Sequence, residues 1–467
     1  MGDPARGPEM PPVATLIEYQ GYPYQVAAAD SFREGRLSLT EKTLEILEDL
    51  NAERGFLEIG RRAIKPLNHV GVVRANDLTL QIFPKVFRHE DLPDHQAVVA
   101  GNLLKMLSYT GNVPITEVDI TGLDLRKLDL FEVFIHLFAK NLLRTVRGVR
   151  KKEYVARSGD LRVVRGRIEV ARYTNPARMH IIPCRYHEFS VDTLMNRTLK
   201  YTCYLMARTV SDFATVRLLR SILDILDPVT LETVSVADID RITFTRLNRV
   251  FEPHIRLCRV FLANSSLTLQ ASRVESFSLL IPTERLFEEF ISAVLVADPV
   301  YFFGRQVAVR PQRGVGRLAR DESGRELFNL RPDIIIGSPE VEAVIDTKYK
   351  RLDRDDVRLG VSQADLYQMY AYATKTAARR CMLLYPEVLL KLEGDFILSV
   401  PSPDGIDADI PLLVRAVRLS YDLNRQQEWE AFLAEVRGIV RPLLEGDTHV
   451  QAGRFVEEER EGLAGPL

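Results

Sequence analysis

The sequence is poor in features that would tie it to a membrane, a metal cage or an oxidising compartment. It holds four cysteines, Cys184, Cys203, Cys258 and Cys381, in 467 residues. None pair at the spacing of a zinc site, and four thiols in so long a chain suit buried residues in a reducing cytoplasm. No apolar run approaches bilayer-spanning length. Residues 1–12 lack the apolar core of a signal peptide and read as a flexible lead-in. The formal net charge is only −2, so overall charge points to neither nucleic acid nor membrane, and any basic surface must be local. The eight histidines are scattered; His136 falls within a helical pattern and suits a core or boundary position. There is no G-x-x-x-x-G-K-[ST] loop to cradle phosphates and no G-x-S-x-G elbow. A phosphate-loop NTPase and an elbow-type serine hydrolase are therefore not indicated.

What is present is an ordinary globular composition, 46% hydrophobic and 27% charged, long enough for two or three domains. Residues 13–112 alternate strand and helix signals. Thr40 is a candidate N-cap for a helix over Thr40–Asn51. The apolar runs Ala63–Val73 and Leu78–Val86 flank Ala75-Asn76-Asp77, a plausible hairpin turn. A helix is expected near Ala97–Tyr109.

Residues 113–278 read as more helical. Helices are expected over Asp129–Arg147, Val191–Thr209 and Val250–Ala263. Between the first two, Val149–Arg172 looks like β-structure. From Arg144 to Arg172, ten basic residues face three acidic ones, a local excess of +7. A phosphate-tracking or docking surface and a plain solvated face both fit this excess. Residues 446–467 end in a glutamate-rich acidic tail.

Residues 279–445 carry the chemistry. Thr283 is a candidate cap for a helix over Thr283–Val296. Strands are expected at Val307–Arg310, Leu327–Ile336, Val344–Lys348 and Cys381–Tyr385, with a helix at Ser362–Thr376. Side chains two apart on a strand share a face. Asp346 and Lys348 then point together, and Thr347 points away. Asp333 lies thirteen residues before Asp346 and reaches the same pocket if the two strands form a hairpin. Two carboxylates, assisted by the Thr347 carbonyl, suit Mg²⁺, a hard cation that takes oxygen ligands. Lys348 would orient a water or meet developing negative charge. Together they form a candidate phosphodiester-hydrolysing centre; an exposed salt bridge is the plain alternative.

Glu288 or Glu289 would add a metal carboxylate or face solvent. Asp365 and Gln368 share a helix face and would support the site. Lys350 and Arg351 are candidate DNA-backbone contacts or plain surface charges. Tyr367, Tyr370 and Tyr372 are expected to pack against the sheet.

These residues resemble the McrC family, the nuclease subunits of McrBC modification-dependent restriction systems. Gly71-Val72-Val73 with Leu80-Gln81-Ile82-Phe83-Pro84-Lys85 is similar to the family's glycine-then-"PK" hairpin, although Phe83 stands where a smaller apolar residue is usual. Gly166-Arg167-Ile168 is similar to its "GR" strand. Tyr186, Glu188, Ser190, Asp192 and Asn196-Arg197 resemble its "NR" helix entry, with Arg167 and Asn196 read first as braces of the middle region. Pro332-Asp333, Asp346-Thr347-Lys348 and Asp365-Leu366-Tyr367-Gln368 resemble its nuclease motifs.

The resemblance implies a mixed α+β N-terminal region for partner docking, a helical middle with a basic β insertion, and a C-terminal PD-(D/E)xK domain. It implies a Mg²⁺-dependent endonuclease acting on double-stranded, methylated DNA. It also implies a McrB-type partner, a hexameric AAA+ GTPase whose GTP hydrolysis this chain stimulates, GTP being used by the partner alone. An adaptor with a weak or silent nuclease, and a stand-alone nuclease, are the competing expectations.

Overall fold

The computed structural model describes residues 12–87, 95–110, 129–149, 152–172, 180–268, 273–350, 359–387, 393–400 and 407–445. Arg351, residues 1–11 of the expected lead-in and the acidic tail lie outside them. The chain is a mixed α/β, multidomain protein with several sheets.

The N-terminal strands are β1 (Val13–Ile17), β2 (Tyr22–Val26), β3 (Ser31–Arg33), β4 (Arg36–Leu39), β5 (Leu57–Ile59), β6 (Ala63–Pro66), β7 (His69–Ala75) and β8 (Leu78–Phe83). Helix α1 (Glu41–Arg54) begins where the Thr40 hydroxyl accepts from the Thr43 N–H, and stops at Gly55 in the left-handed conformation. The expected apolar run from 63 to 73 divides in two. Pro66 ends β6, having no N–H to extend a ladder. β6 joins a small sheet of order β3-β4-β2-β6-β5, and β7 joins another of order β1-β8-β7-β13-β12. β7 and β8 form the expected antiparallel hairpin, turning at Asn76 with φ 52. Gly71 is required where β7 meets β13, because a Cβ there would lie 2.0 Å from the Leu279 carbonyl oxygen.

The middle contains α2 (His95–Thr110), α3 (Leu130–Gly148), α4 (Leu194–Ala207), α5 (Phe213–Ile225), α6 (Val236–Ile239) and α7 (Glu252–Ala263). Asp129 caps α3 through the Glu132 N–H. Sequence periodicity gave no helix at α5, which buries only Thr215, Leu219 and Ile222. Strands β9 (Glu153–Leu161), β10 (Arg167–Ile168) and β11 (Ile182–Ser190) form the basic sheet, with β11 central. The chain then returns as β12 (Ser265–Thr268) and β13 (Arg273–Pro282), and β13 pairs with β7. The segment boundary drawn at 278/279 therefore falls inside a strand of the N-terminal sheet.

Helices α8 (Thr283–Ala297) and α9 (Pro299–Phe303) lead into β14 (Val309–Pro311), β15 (Gly316–Arg320), β16 (Glu326–Leu330), β17 (Ile334–Ile336), β18 (Ala343–Thr347), α10 (Gln363–Thr376), β19 (Arg380–Glu387), β20 (Gly394–Val400), β21 (Ala408–Arg418) and α11 (Gln426–Val440). The main sheet has the order β14-β17-β18-β19-β21-β20. β18, β19 and β21 run parallel, and the rest pair antiparallel. The expected single strand Leu327–Ile336 is two. β16 pairs with β15 in a separate ribbon, and Pro332 separates it from β17.

Alternation along the strands sorts residues onto two faces. Ile334, Ile345, Met382 and Leu384 join the large core with Phe287 of α8 and Phe432 of α11. Val344, Cys381, Leu383 and Tyr385 pack with Met369, Tyr372 and Ala373 of α10. All four cysteines are free and buried, as expected. Among the described residues, no helix is long and apolar enough to cross a membrane.

Candidate active site

β17 and β18 pair antiparallel, with Ile334 opposite Ile345. One step further, Asp333 and Asp346 meet at the end of the pair. Asp333 lies just before β17 rather than on a strand, since Pro332 interrupts the chain there. Its Oδ2 accepts from the Thr347 N–H at 2.7 Å and from the Thr347 hydroxyl at 2.8 Å. The Gln312 amide donates to Oδ1 at 3.3 Å. Thr347 therefore does not turn its side chain away; at the strand end its hydroxyl grips Asp333.

Asp346 is 1% exposed on its side chain, with the Lys348 ammonium 2.5 Å from Oδ2. That ammonium is the close partner of the Asp346 carboxylate, which has no further side-chain or backbone donor among the described residues. Lys348 stands one residue beyond β18 and donates to Gln368 Oε1 at 2.8 Å. Gln368 Nε2 donates to the Tyr372 hydroxyl at 2.8 Å, and that hydroxyl donates to the Arg331 carbonyl at 3.1 Å. α10 carries this brace. It is started by a capping box in which Ser362 and Asp365 bond reciprocally.

The electrostatics follow from burial of like charges. Burial raises the Asp346 pKa to about 6, helped by the Asp333 charge and opposed by Lys348. Burial also raises Asp333, opposed by its two bonds from Thr347. Glu288, half-buried on α8, is pushed to about 7 by burial and then by the charges of Asp333, Glu289 and Asp346. Burial disfavours the Lys348 ammonium, but the carboxylates of Asp346, Asp333 and Asp365 outweigh it and hold its pKa above the usual value. At the site the carboxylates of Asp333, Asp346 and Glu288 outnumber the Lys348 ammonium.

Asp333, Asp346, Thr347, Lys348 and Gln368 thus come together, with Glu288 close enough to feel both aspartates. Glu289 does not join them in this way; it pairs with Arg285 at 2.6 Å. Asp365 caps α10 and accepts from Lys350 Nζ at 3.1 and 3.2 Å. Lys350 is half-exposed. Among the described residues, no three His, Cys, Asp or Glu side chains form a ready-made metal cage. The donor set nevertheless fits a Mg²⁺ that takes one or two carboxylates and completes its shell with water and phosphate. The buried Asp346 carboxylate, with Lys348 as its one close donor among the described residues and the Asp333 carboxylate beside it, is the observation that favours a cation there.

Other expectations change. Tyr367 and Tyr370 are exposed, and only Tyr372 packs in the core. Thr283 is not a cap but the first residue of α8, and its hydroxyl donates to Glu18 instead. Arg167 is exposed, whereas Asn196 braces the Val191 carbonyl and Arg197 holds both oxygens of Asp192 at 2.7 Å. His136 is a boundary residue bonded to the Thr215 hydroxyl at 2.9 Å. Sequence reasoning missed Gln312 and Glu18, which no spacing links to the motifs. It took Tyr372 as packing alone, although its i+4 relation to Gln368 could have signalled the bond.

The family model described as "McrBC 5-methylcytosine restriction system component" matches residues 64–386, more than half of the chain. The chain belongs to this McrBC family. The match includes the β7–β8 hairpin, α3, the basic sheet and the β17–β18 site.

A comparison with curated proteins gave no match. Among solved structures, the fold is similar to a chain in the refined half-complex from the tetradecameric assembly of Thermococcus gammatolerans McrB AAA+ hexamers with bound McrC. The TM-score is 0.67 at 20% identity, covering 91% of this chain and all of that one. A chain in the Thermococcus gammatolerans McrBC complex gives a TM-score of 0.50 at 24% identity, covering 62% and 88%. At such identities the likeness concerns the fold of this McrBC-family member.

Proposed function

We propose that this chain is the Mg²⁺-dependent DNA endonuclease subunit of a GTP-driven restriction complex that cleaves foreign methylated DNA. Its C-terminal region is read as a PD-(D/E)xK domain, with Asp333, Asp346 and Lys348 as its motif. The carrying observation is the buried Asp346 carboxylate, beside Asp333 and with the Lys348 ammonium as its one close donor among the described residues.

In this reading Asp333, Asp346 and the Thr347 carbonyl hold the ion, with Glu288 as a further carboxylate. Bound Mg²⁺ would polarise the scissile phosphate and lower the pKa of the attacking water. Thr347 fixes Asp333 through two donors, so that carboxylate needs no reorganisation. Gln368 holds the Lys348 ammonium from one side and Asp346 from the other, ready to meet negative charge on the phosphate oxygens. Lys350 serves the DNA backbone beside the site; Arg351, outside the described residues, is proposed for the same role.

The partner in this reading is a hexameric AAA+ GTPase of McrB type, which this chain stimulates. Family membership and the likeness to structures of McrB hexamers with bound McrC support it. The test mixes the pure chain with methylated plasmid and Mg²⁺, with and without such a GTPase and GTP. Cleavage requiring partner and GTP is expected. Cleavage by the chain alone would instead favour a stand-alone nuclease, and GTPase stimulation without cleavage an adaptor.

A further inference from the structure

Glu18 follows β1 in the N-terminal region and is fully buried. Its carboxylate gathers three donors from three distant segments. Oε1 accepts from the Thr283 hydroxyl. Oε2 accepts from the Tyr349 hydroxyl at 2.9 Å and from the Lys85 N–H at 3.2 Å. A buried carboxylate is costly to maintain unless its oxygens are satisfied. Two of the donors belong to segments that carry the site. Thr283 is the first residue of α8, which carries Glu288. Tyr349 follows Lys348 directly. Lys85 follows β8, and its ammonium lies 4.5 Å from the Tyr19 ring and 5.1 Å from the Tyr349 ring.

The backbone beyond β18 explains why such a contact would matter. The strand ends at Thr347, and the Lys348 N–H still bonds the Leu384 carbonyl at 2.9 Å. Lys348 then turns toward Asp346 and Gln368, while Tyr349 enters the opposite core against Phe287 of α8, ring centroids 6.3 Å apart. Asp346 and Gln368 fix one side of this segment. Glu18 fixes the other.

We infer that Glu18 is a positioning residue for the Lys348 centre, acting through Tyr349 and Thr283. This rests on the nuclease reading above. It makes the N-terminal sheet part of what places the active-site lysine, although Glu18 touches none of the reacting groups.

The test uses the full chain with its GTPase partner, and the variants Glu18→Gln, Tyr349→Phe and the double. Each single variant should lower kcat by about tenfold with KM for DNA unchanged, as for misplacement of a reactive group. The double should fall no further than either single. Amide hydrogen exchange of the metal-free protein should rise in residues 345–349 and 283–288 and stay unchanged in β1 and β8. Wild-type kcat in both variants, multiplicative losses in the double, or faster exchange spread across β1 and β8 would overturn the proposal in favour of a plain structural staple. If Glu18→Gln does not fold, Tyr349→Phe decides by the same two readouts. Cleavage by Lys348→Ala at the wild-type rate would sink the nuclease reading alone, and exchange would still decide whether Glu18 clamps the segment.

Discussion

Replacing Asp346 with Asn should destroy activity and stabilise the metal-free protein. The carboxyl titrates near 6 in the fold against an ordinary 3.8. A rise of roughly two units, at about 1.4 kcal/mol each, places the cost of ionising it in the fold at about 3 kcal/mol. The sign follows from the acid's raised pKa: its contribution to stability is complete below pH ~4 and lost as pH rises through about 6. Asn resembles the protonated acid and escapes this loss. Since Asp333 shares the site, a gain of about 1–3 kcal/mol at pH 8 is expected, shrinking steadily as pH falls from 7 toward 4. Urea unfolding in EDTA at several pH values measures it. Added Mg²⁺ should stabilise the wild type by about 2.7 kcal/mol at a hundredfold excess over Kd, and the variant hardly at all. Plasmid cleavage by the variant should fall by at least ~10³-fold, with stimulation of a partner GTPase retained. A variant that still cuts, or that is less stable than the wild type at pH 8 without metal, would refute the reasoning.

Lys348→Ala should lower the cleavage rate by about 100-fold while shifting the Mg²⁺ concentration for half-maximal activity by less than ~3-fold, read from metal titrations. Asp192→Ala should cost about 2 kcal/mol in urea unfolding, because Arg197 and the Thr230 N–H and hydroxyl all lose their acceptor. Gly71→Ala should cost about 2–4 kcal/mol by the same measurement, its methyl having no room against Leu279 and its φ of 133 disfavouring any side chain.

The parts of this protein that were legible in its sequence are those decided over a few residues. Thr40 announces a helix because a cap bonds an N–H two or three residues on, and the apolar stripe over Asp129–Arg147 announces another. The Asn76 turn fixes the β7–β8 register within a hairpin. Asp346 and Lys348 come together as alternation along a strand suggests, although Lys348 stands one residue beyond β18 and Thr347 does not turn away. The acidic pair and its lysine were chosen on such local grounds, and the fold brings them together.

Other features depended on longer connections. Pro332 splits one apolar run into β16 and β17, which belong to different sheets, so Asp333 sits at a strand's entrance. Tyr367 and Tyr370 share α10 with Tyr372, yet only Tyr372 meets the sheet, since helix rotation against its neighbour is a packing outcome.

The sequence by itself determined many of the helices and strands and the acids proposed for the chemistry, because capping, alternation and turn geometry act between near neighbours. Tertiary structure alone decided that β13 returns to β7 and that Glu18 reaches Tyr349 across more than three hundred residues. Such contacts are set by how whole sheets and helices bury their apolar faces, and no short stretch of chain encodes that.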